Sequence, residues 1–198
     1  MPITLEERRP SLPSVKFDEK GQTMILMLVD AETQTKYVYG TQEPELKADG
    51  TAKQQDRVVG LVMPGTTCPL SDPDAGGEDA RQPAVPGMLV QVFYTGHRRM
   101  DYWNAKKAHK KDHTAFNVGD ILVDQFQDTT RTGQGGVKLS QDKKLHKIGV
   151  RLARGDEVAY VAQAEAAYHE RRRVNAGITL EGSAPTSDAA YADDEEPF

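Results

Sequence analysis

The 198-residue chain contains one cysteine, Cys68, one tryptophan, Trp103, and aromatic residues at only 7%. A single cysteine excludes an internal disulfide and the stapled scaffolds of small secreted proteins, so a reducing compartment is expected. The longest apolar run, Met24 to Val29, falls far short of the ~20 residues a membrane helix needs. No basic start followed by an apolar stretch opens the chain, so no secretory signal is expected. These absences point to a cytoplasmic protein with no membrane partner. Hydrophobic residues make up 37% and mean hydropathy is −0.63, which suits one modest domain with appendages.

Catalytic signatures are equally scarce. His109 and His113 are four apart, as helical metal ligands can be, but they stand among lysines without the glutamate of a zincin. Thr132-Gly133-Gln134-Gly135-Gly136 lacks the Lys-Ser/Thr of a phosphate-binding loop. Cys68 lies in an acidic, proline-rich stretch, a poor setting for a reactive thiolate. No nucleophile elbow and no acid/base carboxylate pair is recognisable. Neither an enzyme nor a cofactor is implied, and no metal site.

What the chain does have is charge asymmetry. The net charge is −5, yet residues 181–198 hold six acids and no base, so residues 1–180 carry +1. Between Thr95 and Arg154 there are 13 Lys/Arg against 6 Asp/Glu. An acidic tail on a body with a basic centre is the pattern of a chain with an anionic partner.

Residues 1–14, with Pro2, Pro10 and Pro13, form an arm without periodicity. A domain over residues 15–155 is read from short strand-like runs: 24–29, buried on both faces; 36–39; 57–63, with Gly60 as a bulge or bend; 88–94; 121–126; and 147–152. In 121–126, Leu122, Asp124 and Phe126 share one face, with Ile121 and Val123 on the other. Residues 64–87, rich in proline and acid, read as a long exposed loop. Residues 156–175 form a late helix with Asp156 as its N-cap and Arg171-Arg172-Arg173 at its end. Residues 176–198 are too polar to fold. The expected fold is all-β: an OB-like barrel with long loops, one late α-helix and a disordered acidic tail. A β-sandwich gives the same strand count.

Residues 97–111 are the second distinctive stretch, and read as a short helix or an excursion. Arg98, Arg99, Lys106, Lys107, Lys110 and Lys111 interleave with Tyr102 and Trp103. Cations neutralise phosphates and rings stack on bases, which is what single-strand binding requires. Tyr94, Phe126, Arg57, Lys143, Lys144, Lys147 and Arg151 extend the candidate surface. Alternation along strands puts about half of such aromatics inside, so two or three are expected to touch nucleic acid. For Trp103, core and stacking roles stand equally open.

The chain closes on Asp193-Asp194-Glu195-Glu196-Pro197-Phe198, an acidic tip with one apolar anchor and a terminal carboxylate. This ending resembles the tip of bacterial single-stranded-DNA-binding proteins. In the body, Val15-Lys16-Phe17, Glu43-Pro44 to Asp49-Gly50 and Gln54-Gln55 look like phage-type members of that group. The opening strand pattern of the homotetrameric bacterial form is missing. The resemblance implies an OB fold that sheathes single-stranded DNA in replication, recombination or repair, in a bacterial host. It also implies recruitment of replication and recombination proteins through the six-residue tip, and it leaves homo-oligomerisation open. The rival readings are a protein-interaction scaffold and, last, a small metal-dependent nuclease.

Overall fold

The computed structural model describes residues 12–38, 41, 43–71, 80–109, 117–128 and 145–175. In chain order the elements are β1 (Thr23–Thr35), β2 (Gln54–Val62), β3 (Leu70–Ser71), β4 (Arg81–Gln82), β5 (Leu89–Tyr94), α1 (Gly96–His109), β6 (Ile121–Asp128) and β7 (Leu145–Arg151). A short 3-10 turn at Gly155–Tyr160 leads into α2 (Val161–Asn175). Five strands form one antiparallel sheet in the order β5-β2-β1-β6-β7, and β3 pairs with β4 and, through Leu70, with Val15 of the N-terminal segment. The order β6-β1-β2-β5 is a Greek key, with α1 inside the long connection that returns the chain beside β1.

β1 is the central strand because its side chains can be buried on both faces. Met24, Leu26 and Leu28 join an inner cluster with Val58, Val92 and Leu122. Met27 and Val29 join an outer cluster with Val59, Leu61 and Ile121. Val15, Phe17 and Tyr102 cover the inner face, whereas Tyr160, Val161, Ala164 and Tyr168 cover the outer one. The apolar residues of α2 recur at helical spacing, and the stripe ends at Arg171, which pairs with Asp30 on β1 at 3.5 Å. The predicted alternation in β6 is found: Leu122 and Phe126 are inner, Ile121 outer.

The fold is therefore mostly β; the single helix and the plain exposed loop are corrected, and a closed barrel is not shown. There are two α-helices, since residues 96–109 form α1. A closed barrel is not seen: β5 and β7 end the sheet, and no ladder joins them among the described residues. The free edge of β5 is instead taken by the N-terminal segment. Val15 N–H donates to the Gln91 carbonyl, and Gln91 N–H donates to that of Pro13, both at 2.9 Å. Finally, the stretch after β2 is no plain exposed loop, because Cys68 and Leu70 are buried in the inner cluster. Burial pushes the Cys68 thiol up to about 12.

Gly60 was expected to bulge; the bulge lies opposite it, on β1 between Leu28 and Asp30. Gly60 permits the close approach of β1, since a Cβ there would lie 2.7 Å from the Met27 carbonyl oxygen and 3.0 Å from the Leu26 Cβ. The opening of the late helical segment also differs in detail. Glu157, not Asp156, accepts the Arg154 backbone N–H at 3.1 Å and holds both Arg151 Nη atoms at 2.6 Å.

Gly60→Ala is expected to destabilise the protein by about 1–3 kcal/mol through overpacking between two central strands. Urea unfolding followed by circular dichroism measures this. An unchanged midpoint would mean that the strands part freely at this point.

Candidate nucleic-acid interface

α1 begins at Gly96, whose φ of +52° suits a residue without a Cβ, and presents two adjacent stripes to the sheet. Arg98, Tyr102, Ala105 and His109 follow the i, i+4, i+7, i+11 spacing of one helix face; Arg99, Trp103 and Lys106 form the next. Each stripe mixes rings with cations, so the interleaving seen in the sequence is divided by helical geometry between the core and its margin.

Three buried aspartates receive these stripes. Asp124 on β6, with no exposed surface, accepts from Arg98 Nη2 at 2.6 Å, Arg98 Nε at 3.1 Å and the Tyr94 hydroxyl at 3.1 Å. His146 Nδ1 lies 2.7 Å from its other oxygen. The Arg98 guanidinium also stacks over Phe17 and Tyr94, with centroid distances of 4.9 and 4.6 Å. Asp56 on β2 accepts from Thr33 Oγ1 at 2.6 Å, Trp103 Nε1 at 2.7 Å and Arg99 Nε at 2.8 Å. Asp120, just before β6, lies 3.2 Å from His109 Nε2.

Burial alone would raise both the Asp124 and Asp56 carboxyls. For Asp124 the contacts with His146 and Arg98 outweigh it, and for Asp56 those with Arg99, Thr33 and Trp103 do, so both are held below the usual carboxylate range.

This geometry redistributes the predicted site residues. Tyr94, Tyr102 and Phe126, expected to stack on bases, are buried at 0%, 1% and 1% exposure and serve as core. Tyr94 and Tyr102 stack on each other instead, 4.7 Å apart, and Phe126 stacks on His146. The reason is strand and helix alternation: each ring falls on the face that meets the inner cluster. Arg98 and Arg99 are turned inward to carboxylates. Arg57 is engaged by Glu32 at 3.1 Å and Gln91 at 2.8 Å, and Arg151 by Glu157. Lys107 and Lys147 are exposed, and Trp103 retains 38% exposure with Lys106 Nζ 4.6 Å over its ring. Lys110, Lys111, Lys143, Lys144, the glycine-rich 132–136 stretch and Asp193 to Phe198 lie outside the described residues.

The described residues between 36 and 53, read in part as a separate strand, form a small finger of paired segments that continues β1 and β2. Val38 N–H donates to the Glu43 carbonyl, and Lys47 N–H to that of Thr51. Tyr37 and Leu46 are exposed on it, at 53% and 56%. Glu45 pairs with Lys36 and Lys53, whose ammonium groups hold its carboxyl down at about 2. The finger starts three residues beyond Thr33, roughly 10 Å of extended chain, and Thr33 shares Asp56 with Trp103. Trp103, Lys106, Thr33, Glu32 and Asp56 together line a pocket of about 200 Å³ there. A second groove of about 280 Å³ lies on the outer face, where Lys147 joins Val123, Gln125 and Gly149.

Comparison with protein-family models, curated proteins and solved structures finds no match. Among the described residues no helix is long and apolar enough to cross a membrane.

Asp124→Ala is expected to destabilise the fold by about 3 kcal/mol, because it strands the partly buried Arg98 guanidinium and leaves Tyr94 and His146 without their carboxylate. The lowered carboxyls also fix the sign of an acid effect. Their contribution is complete above the unfolded value near 3.9 and is lost as pH falls through the folded values. Urea midpoints of the wild type should therefore decline below about pH 4, and less steeply in Asp124→Asn. Parallel pH profiles for the two proteins would contradict the assignment.

Proposed function

We propose that this protein binds single-stranded DNA without sequence preference during replication or recombination, as a non-catalytic member of the OB-fold class. The observation that carries this reading is the Trp103 environment. An indole fixed by its N–H on Asp56 keeps part of its surface open, with Lys106 over the ring and exposed Lys107 next along the helix. Such a combination of ring and cation is what sequence-tolerant binding of a single strand uses. The five-stranded Greek key, with its helix between the third and fourth long strands, agrees with the strand plan of an OB barrel. The finger at 36–53 then corresponds to the loop between the first two barrel strands, one of the loops that OB folds use for oligonucleotides. Phosphates would be met by Lys106, Lys107, Lys47 and Lys147, with Lys110, Lys111, Lys143 and Lys144 as further donors.

The acidic tip, Asp193 to Phe198, would recruit replication and recombination proteins, the phenyl ring entering an apolar pocket and the carboxylates meeting basic residues. The setting is a bacterial cytoplasm, and self-association is compatible with the reading. A protein-interaction scaffold is the alternative, and exposed Tyr37, Val38 and Leu46 on the finger favour it. A nuclease ranks below both, because the buried carboxylates Asp56 and Asp124 already face cations of α1.

Titration of Trp103 fluorescence with oligo-dT at several salt concentrations tests the main reading. Quenching and a linear fall of log affinity with log salt are expected, about −0.7 in slope per phosphate contact. Replacing both Lys106 and Lys107 by alanine should flatten that slope. Absence of binding at low salt would refute single-strand binding. Deleting Asp193 to Phe198 should keep or raise DNA affinity while removing partner recruitment; recruitment that survives the deletion would make the tail a solubiliser.

A further inference from the structure

The ladder of β1 and β2 does not end in a plain hairpin. At its far end Lys36 N–H donates to the Lys53 carbonyl, Lys53 N–H to that of Glu45, and Glu45 N–H to that of Lys36, at 2.8, 2.7 and 2.8 Å. Three chain segments thus meet in a closed triangle of backbone hydrogen bonds. The side chains of the corner residues gather on one side of it, where Glu45 holds both ammonium groups. The positions next to the corners are paired: Thr35 with Gln54, Tyr37 with Pro44 and Leu46 with Ala52. Side chains alternate along extended chain, so these six stand on the opposite side. Thr33 and its partner Asp56, one step back along the same face, share that side, and Asp56 there accepts the Trp103 indole N–H.

The junction is therefore a two-sided plate. Its back carries the ions, and none of the six front residues is charged. Tyr37 and Leu46 on the front keep 53% and 56% exposure, and Pro44 is exposed beside Tyr37. An apolar surface left open in this way marks a place of contact.

We propose that Tyr37 is a second base-stacking ring, and that the front of the plate continues the Trp103 surface so that one strand of DNA crosses both. The inference rests on the single-strand reading above and extends its footprint to the finger. Thr33 and Tyr37 are four residues apart, roughly 13 Å of extended chain. Stacked nucleotides of one strand advance by ~3.4 Å each, so the two rings serve different nucleotides. Charge is divided to match. Lys36 and Lys53 turn to Glu45 on the back, while Lys47 after Leu46 and Lys106 over Trp103 stand where phosphates would pass. An uncharged face with a ring, next to an indole with a cation, suits bases of any sequence, since every base has a face to stack.

The test compares Tyr37→Ala and Tyr37→Phe in titrations of Trp103 fluorescence with oligo-dT. Tyr37→Ala should weaken binding about 5- to 100-fold, the loss of one stacked ring, and Tyr37→Phe should retain it. The salt slope should not change, because no phosphate contact is removed. The thermal midpoint should stay, because the ring is exposed. Wild-type binding with unchanged affinity in Tyr37→Ala would overturn the proposal, leave the strand to Trp103 and give the plate to a protein partner. A loss of affinity matched by a lower midpoint would also overturn it, since the ring would then be structural. A wild type that does not bind at all would refute the single-strand reading, and the plate's role with it.

Oligo-dT carrying 5-iodouracil gives a second readout on the unaltered protein. Irradiation and mass spectrometry should find attachment at both Tyr37 and Trp103. Attachment at Trp103 without Tyr37 would overturn the shared path.

Discussion

A fully buried carboxylate, Asp124, organises the inner side of this molecule. It lies on β6 and gathers Arg98 from α1, Tyr94 from β5 and His146 from β7. Removing a guanidinium and a carboxylate from water is costly, and the cost is offset only where geometry is good and the remaining lone pairs are used. Both conditions hold, with two contacts from Arg98 on one oxygen and His146 on the other. The ion pair thereby sets the angle of α1 across the sheet. Once Arg98 is fixed, helical spacing carries Arg99 and Trp103 to Asp56 and His109 toward Asp120. The exposure of Trp103 and the shape of the pocket beside it follow from that one constraint.

The apolar layers of the fold were legible in the sequence, and the polar joints were not. The run 24–29 and the alternation in 121–126 report burial directly, and both strands lie where that pattern puts them. Asp124 carries a signal of its own: a carboxylate on the same face as Leu122 and Phe126 must be buried, and a buried carboxylate needs a cation. Composition does not reveal which face of a helix each cation of residues 97–111 occupies, so the sequence alone cannot separate those that face phosphate from those that face the core. Arg98 and Arg99 face aspartates instead, and Tyr102 fills the core between them. Closure of the sheet was likewise beyond periodicity, since it depends on whether residues 13–15 or β7 occupies the edge of β5.

The functional account is narrower than composition suggested, and more local. Of the basic and aromatic residues first singled out, Trp103, Lys106 and Lys107 form the described surface nearest the finger, and the others there are committed to internal contacts. An exposed indole beside lysines fits the proposed holding of DNA by a combination of ring contact and charge. In the proposed reading the acidic tail, which holds more than the whole net negative charge, would serve partners as a separate element.

The central claim is that DNA lies against α1 and the base of the finger. Hydrogen exchange of the full chain, with and without saturating oligonucleotide, tests it most directly. The account predicts added protection concentrated in residues 31–38, 45–57 and 96–109, and little change along α2. Protection confined to α2, or no protection anywhere, would contradict it.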